Sequence, residues 1–329
     1  MSENLNDILI KKISNSIPEN KKVINYLMDI LNIGRESMYR RMRGSIPFTF
    51  EEAVKLSLNL NFSIDEIIGS DTLGNAVLSD SQYKDLSIFD KYFYLNHLKY
   101  YNMIESISKA NEMEILITLN SLTPFLVIDF DHLFKFYYYM RLNQSGGISL
   151  NSTFSEIEVP SPIVQIRQNI KSKVALIKNV SFILDQHIIM KLVQDIQYYY
   201  NRRLIPTKEL NEIKNDMINL IDNVEKYIQT SANNRDSFYH FYLSLLNVDM
   251  NSVYGTFDGN TISQYWSSFN NSVNTGFNKT TAIHLNWIHS LKRSSVLISQ
   301  SNEIVQASFL NQQRKLIETI TNDLFFYYG

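Results

Sequence analysis

Between Asn32 and Gly44 the chain carries four arginines in nine residues, Arg35 to Arg43, with Glu36 as the single acid among them. A segment with this much unpaired charge has no place in a core, because burying charge without a partner is among the costliest things a fold can do. Met38 and Met42, four residues apart, give the same segment one apolar edge. A short helix follows, lying on a small core through its methionines and holding its guanidinium groups outward. Gly44 ends that helix, as glycine does at a helix C-terminus.

The flanking segments are also short and helical. Leu5, Ile8, Leu9 and Ile13 fall at helical spacing, with Asn4 or Asn6 able to cap, until Ser16-Ile17-Pro18 breaks the pattern. A second helix is expected from about Glu19 to Leu31, with Val23, Ile24, Leu27, Met28, Ile30 and Leu31 on its apolar face. Asn32 then stands at a sharp turn, where asparagine tolerates the left-handed conformation. After the third helix, Thr49 is placed to cap a fourth, Phe50 to Leu60, whose first turn holds Glu51 and Glu52. Ser63 would cap a fifth, Ile64–Ile68, closed by Gly69.

Five short helices in about 70 residues, the second and third joined by a tight turn, resemble the lambda-repressor-like (Cro/CI, XRE) helix-turn-helix domain. The resemblance covers residues 19–69. It rests on Leu31 to Arg40, on Arg43-Gly44, and on Pro47 with Phe50-Glu51-Glu52-Ala53, Leu56 and Leu60 to Ile68. Three positions depart from the family pattern. Met28 stands where a small residue is usual, Arg41 where an apolar one is, and Met42 where a polar one is. The resemblance implies that the third helix enters the major groove of duplex DNA. Carried over, Arg35, Glu36, Tyr39 and Arg40 would read bases, by arginine on guanine and glutamate on cytosine. Arg43, Lys21, Lys22, Ser45 and Thr49 would hold phosphates and set the register.

The charge is local. The whole chain carries 31 Lys and Arg against 33 Asp and Glu. A patch this modest favours a homodimer, which doubles the phosphate contacts. Cysteine is absent, which removes disulfides, thiolate metal sites and cysteine nucleophiles. Met1-Ser2-Glu3-Asn4 does not read as a signal peptide, and no run of 18 apolar residues offers a membrane span. A cytoplasmic protein with no membrane partner is expected.

Residues 70–85 are small and polar and read as a linker. Beyond them, 86–329 read as a helical dimerisation or sensor domain, with a sub-boundary near 231. Helical spacing runs from Leu86 through Ile107, from Glu112 to about Leu142 with a break near Pro124, over Ile163–Leu204, and over Thr207–Gln229. The aromatic run Phe238 to Leu246, the stretch Val253–Phe257, the turn signal Asp258-Gly259 and a return strand over Ile262–Phe269 suggest a hairpin. Residues 279–293 and 301–325 read as helices again. The expected fold class is therefore mainly α: a five-helix lambda-repressor-like domain, then a larger helical domain with a small antiparallel β-sheet near residues 238–270. Trp287 to Gln300 with Phe309 to Arg314 also resembles the tail of Bacteroides-type helix-turn-helix proteins, which brings no activity with it.

No catalytic pattern emerges, and no enzyme is expected. The six histidines form no His-x-x-x-His pair, and the chain has no Gly-x-Ser-x-Gly and no Gly-rich phosphate loop. Asp129-Phe130-Asp131-His132 reads as a loop-edge acid pair rather than a metal site. No cofactor and no metal are expected. The tyrosine runs at 137–139 and 198–200 read as core first, with a pocket for a small-molecule or protein effector as the other reading. The leading function is a sequence-specific transcriptional regulator bound to duplex DNA. The alternative is an interaction or scaffold protein whose helix-turn-helix no longer binds DNA.

Overall fold

The computed structural model describes residues 4–17, 23–62, 64, 67, 86–123, 126–230, 239–266, 272–274, 278–299 and 301–321. The chain divides into two compact units, Met1–Asp85 and Leu86–Gly329. The expected linker at 70–85, most of the fifth helix, the break at Pro124 and the sub-boundary near 231 lie outside the described residues. Among the described residues, no helix is long and apolar enough to cross a membrane.

In the first unit, four helices each contribute one apolar edge to a shared core. They are α1 (Leu5–Ser16), α2 (Val23–Leu31), α3 (Arg35–Met42) and α4 (Phe50–Leu60). Leu9 and Ile13, Leu27 and Leu31, Met38, and Leu56 and Leu60 meet there, with Ile67 in the same cluster. Asn32 turns the chain between α2 and α3 with φ of 51°. Thr49 and Glu52 form a reciprocal capping box on α4: the Thr49 side chain accepts from the Glu52 N–H, and the Glu52 carboxylate accepts from the Thr49 N–H. The Phe48 N–H donates to the Asn6 side chain at 3.1 Å, which pins the chain after α3 to α1.

The second unit is not a helical domain with a small antiparallel sheet. It is built on a seven-stranded mixed sheet with helices on both faces. The strands are β1 (Met113–Leu119), β2 (Val180–Leu184), β3 (Tyr239–Ser244), β4 (Asn251–Phe257), β5 (Asn260–Trp266), β6 (Ser272–Asn274) and β7 (Ser295–Leu297). Their order across the sheet is β6-β5-β4-β1-β2-β3-β7. The three central strands β1, β2 and β3 run parallel, and antiparallel strands extend the sheet on either side.

The expectation failed at the two strands buried deepest. β1 was read as the start of a helix over 112–142, and β2 as part of the helical stretch 163–204. Met113-Glu114-Ile115-Leu116-Ile117-Thr118-Leu119 is covered on both faces except at Glu114, so its apolar residues run together instead of alternating. Parallel strands buried on both sides lose the two-residue period that marks a strand. The expected hairpin is present as β4 and β5, yet it is only one edge of the larger sheet.

Helices fill the connections: α5 (Ile88–Ser108) before β1; α6 (Asp131–Gln144) and α7 (Ser161–Val174) between β1 and β2; α8 (Met190–Asn201) and α9 (Thr207–Thr230) between β2 and β3; and α10 (Asn278–Arg293) and α11 (Glu303–Glu318) around β7. Strand alternation sorts the two layers. Leu116 and Ile183 meet Ile288 and Leu291 of α10. Ile115, Ile117, Phe182 and Phe241 face the side where α7, α9 and Phe309 of α11 lie. Gly255 of β4 pairs with Ile115 of β1, and a Cβ there would lie 2.5 Å from the Ile115 side chain. At the β4–β5 turn Asp258 and Gly259 both have positive φ, 43° and 78°. The Asp258 carboxylate accepts the Asn111 and Glu112 N–H groups, each at 3.1 Å, tying that turn to the start of β1.

Candidate nucleic-acid interface

α3 has one face in the core and one in solvent. Met38 is fully buried and Met42 packs half-buried against the same cluster. The helix ends in a Schellman arrangement. The Gly44 N–H bonds to the Arg41 carbonyl and the Ser45 N–H to the Arg40 carbonyl, both at 2.9 Å. Gly44 takes φ of 74°, which a side chain would strain.

On the outward face Arg35, Glu36, Tyr39, Arg40 and Arg43 are all exposed, and so are Ser45 and Thr49 beyond the helix. Lys21 and Lys22 lie outside the described residues. Arg35, Tyr39 and Arg43 are four residues apart in turn and form a row. The Arg35 and Arg43 guanidinium carbons sit 5.8 and 5.7 Å from the Tyr39 ring centroid. Cations over an aromatic face are held without being neutralised, so both keep their charge for an external anion. Thr49 Oγ1 already accepts the Glu52 N–H.

Arg41 has a different role, which sequence reasoning missed. Its guanidinium is bound by both oxygens of Glu52: Nε donates to Oε2 at 2.9 Å and Nη2 lies 2.8 Å from Oε1. Each side chain is only 15% exposed. Burial pushes the Glu52 carboxyl up, but hydrogen bonds from Arg41 and Thr49 outweigh it and hold the pKa below its ordinary value. Arg41 therefore fastens α3 to α4. This accounts for a charged residue where the resemblance implies an apolar one. The signal in the sequence was Glu52 itself, an acid with two duties: it closes the cap on Thr49 and reaches back eleven positions to Arg41.

In the second unit the acids of the Asp129–His132 stretch are engaged with cations. Asp129 pairs with Lys171 at 3.0 Å and Asp131 with Arg167 at 2.7 Å. The first tyrosine run is buried, and Tyr139 packs edge-on against Tyr199 of the second, with 5.1 Å between ring centroids. A buried polar chain crosses the sheet towards α10. Ser263 Oγ lies 2.8 Å from His284 Nδ1, His284 Nε2 2.9 Å from Ser252 Oγ, and Ser252 Oγ 2.7 Å from Thr118 Oγ1, which donates to the Met250 carbonyl. Because that carbonyl can only accept, Ser252 donates to Thr118 and the His284 Nε2–H donates to Ser252. Burial lowers the His284 pKa to about 4. Ser252 is fully buried, and the chain ties β4 and β5 to α10.

Compared with protein-family models, with curated proteins and with solved structures, the chain matches none.

Proposed function

We propose that the chain is a cytoplasmic, sequence-specific transcriptional regulator that reads duplex DNA with α3 in the major groove. The observation that carries this is the split of α3 into a buried methionine edge and an exposed face of Arg35, Glu36, Tyr39, Arg40 and Arg43. An exposed eight-residue helix with fixed guanidinium groups suits the width of the groove. Arg35 and Arg40 reach guanine, Glu36 accepts from cytosine, and Arg43, Ser45 and Thr49 hold the backbone. The lambda-repressor-like resemblance at residues 19–69 points the same way. One such surface makes few phosphate contacts, so the working form is a homodimer on a two-fold site. The α/β unit then supplies dimerisation or effector control.

Selection of bound sequences from random duplex DNA tests the reading. A single enriched motif is expected, with affinity falling steeply as salt rises. Replacing Arg35 and Arg40 together by alanine should abolish the preference while leaving the helical circular dichroism unchanged. A parent chain that enriches no motif, or a double variant that binds like the parent, removes the proposal.

A further inference from the structure

A cleft of about 510 Å³ opens beyond the carboxyl end of β1, beside the residues that lead into β4. Here the parallel strands meet an antiparallel neighbour, and open α/β sheets place their ligands outside the carboxyl ends of strands. The ionic groups of the lining cancel, Arg141 and Lys191 against Asp195 and Asp249. Arg141 is engaged already: its guanidinium lies over the Tyr137 ring, 5.6 Å from the centroid, and donates to Gln144 at 3.1 Å. The polar groups at the end of β1 bond one another. Asn251 accepts the Asn120 N–H at 2.8 Å and donates to Ser121 Oγ at 3.0 Å. An ion entering such a cleft gives up hydration and meets no unbalanced charge, so the lining favours an uncharged guest.

One buried group of the lining is left open. His97 of α5 lines the cleft and is only 3% exposed. Its ring is stacked on Phe93, 4.4 Å between centroids, and meets Phe134 edge-on at 5.9 Å, so it cannot swing away. Nδ1 lies 2.9 Å from the Phe93 carbonyl, which can only accept, so Nδ1 carries the proton. Burial lowers the pKa to about 4, which keeps the ring neutral near pH 7 and leaves Nε2 as a bare acceptor. Among the described residues nothing donates to that nitrogen. A buried acceptor without a donor is costly, and a guest that brings one removes the cost. One turn along α5, Tyr100 accepts the Trp266 indole N–H, and these two rings, 6.1 Å apart, give the same cleft an aromatic wall.

We infer that this cleft binds an uncharged phenol-type compound, its hydroxyl donating to His97 Nε2 and its ring lying against Tyr100 and Trp266. A phenol is uncharged near pH 7 and offers an acidic O–H to a basic ring nitrogen. The site stands apart from DNA reading, and its test uses no DNA. The full-length chain is titrated by calorimetry with para-ethylphenol and with its methyl ether, which keeps the ring and lacks the donor. The phenol is expected to bind about tenfold or more tightly than the ether and to raise the melting temperature, because a site with a fixed acceptor rejects the analogue that cannot donate. Para-ethylbenzoate and para-ethylbenzylammonium should each bind about tenfold more weakly than the phenol. His97→Phe keeps a ring between Phe93 and Phe134 and removes the acceptor, so phenol and ether should then bind within about twofold of each other. Should that variant fail to fold, nitrogen-15 spectra of the histidine-labelled parent read the same contact: an unprotonated Nε2 resonance should move with the phenol and stay with the ether. A parent that binds the phenol no better than the ether, or binds neither, overturns the proposal. So does a His97→Phe variant that still discriminates, or an Nε2 resonance that the phenol leaves in place. A charged analogue that matches the phenol overturns the uncharged guest.

Discussion

The two units handle polarity in opposite ways. In the first, charge is displayed on a convex surface. α3 keeps one arginine, Arg41, for internal fastening and turns Arg35, Arg40 and Arg43 outward. In the second, polar groups are drawn inward, to the ends of strands and into the His284 chain, beside apolar sheet residues such as Leu116 and Ile183. A surface of the first kind suits a large rigid partner that approaches from outside. A concave site of the second kind suits a small molecule that can be enclosed. The same residue types thus carry different prospects according to the curvature of the surface that holds them.

The sharpest way to break this comparison is to unfold one unit and watch the other. Met38→Asp places a charge at the centre of the first core and should cost about 4 kcal/mol or more. Both tryptophans, Trp266 and Trp287, belong to the second unit. Their near-ultraviolet dichroism should keep its parental melting temperature while amide exchange reports loss of α1–α4. Simultaneous loss of both signals would show one cooperative block, and the contrast between units would fall.

Acid should separate the units next. All six histidines lie in the second unit, and burial lowers both His97 and His284 from 6.5 to about 4. Between those values the unfolded chain holds protons that the folded chain lacks. The stability from keeping these rings neutral is full above about pH 6.5 and is lost as pH falls towards about 4. Each contributes a slope of up to about 1.4 kcal/mol per pH unit. Glu52 in the first unit behaves as a depressed carboxylate. Its contribution is present above its unfolded value of 4.5 and disappears as pH drops through the lower folded value. Denaturant melts at stepped pH should therefore show the second unit weakening first, and His97→Gln with His284→Gln should flatten its profile.

Within α3 the neighbours Arg40 and Arg41 give a finer test. If α3 reads DNA as proposed, Arg40→Ala should weaken operator binding by roughly ten- to a hundredfold, about 1–3 kcal/mol for a base contact, at constant melting temperature. Arg41→Ala should cost about 1–2 kcal/mol of stability, because Glu52 is left half-buried and unpaired on that side. If Arg41→Ala loses operator affinity at full stability, the division of labour along the helix is wrong. The smallest effect belongs to the cap: Thr49→Ala should lower stability by about 1 kcal/mol in a denaturant titration.

How far the chain could be read beforehand follows from how local its signals are. The helices of the first unit announce themselves through caps and turns a few residues away: Thr49 with Glu52, Asn32 in the left-handed region, Gly44 after α3. The hairpin of β4 and β5 was legible for the same reason, since Asp258-Gly259 lies between its strands. β1 and β2 carry no such mark. Their partners are strands far away in the chain, and what makes them strands is burial on both faces, which erases alternation. The exposure of Arg35, Tyr39 and Arg43 followed from helix periodicity. The pairing of Arg41 with Glu52 did not, because it depends on how α4 crosses α3.

The order of strands also sets a schedule. β1 lies at the middle of the sheet, between β2 and β4, and Ile115 pairs with both Val180 and Gly255. At synthesis rates of about 5–20 residues per second, β1 leaves the ribosome on the order of ten seconds before β4. Through that interval β1 has one edge without its partner, and only after Gly255 arrives can the sheet close around it. The first unit needs none of this delay, since its helices meet neighbours made moments earlier. A nascent chain of this protein would thus have its first helical unit finished while the sheet that follows still awaited its central seam.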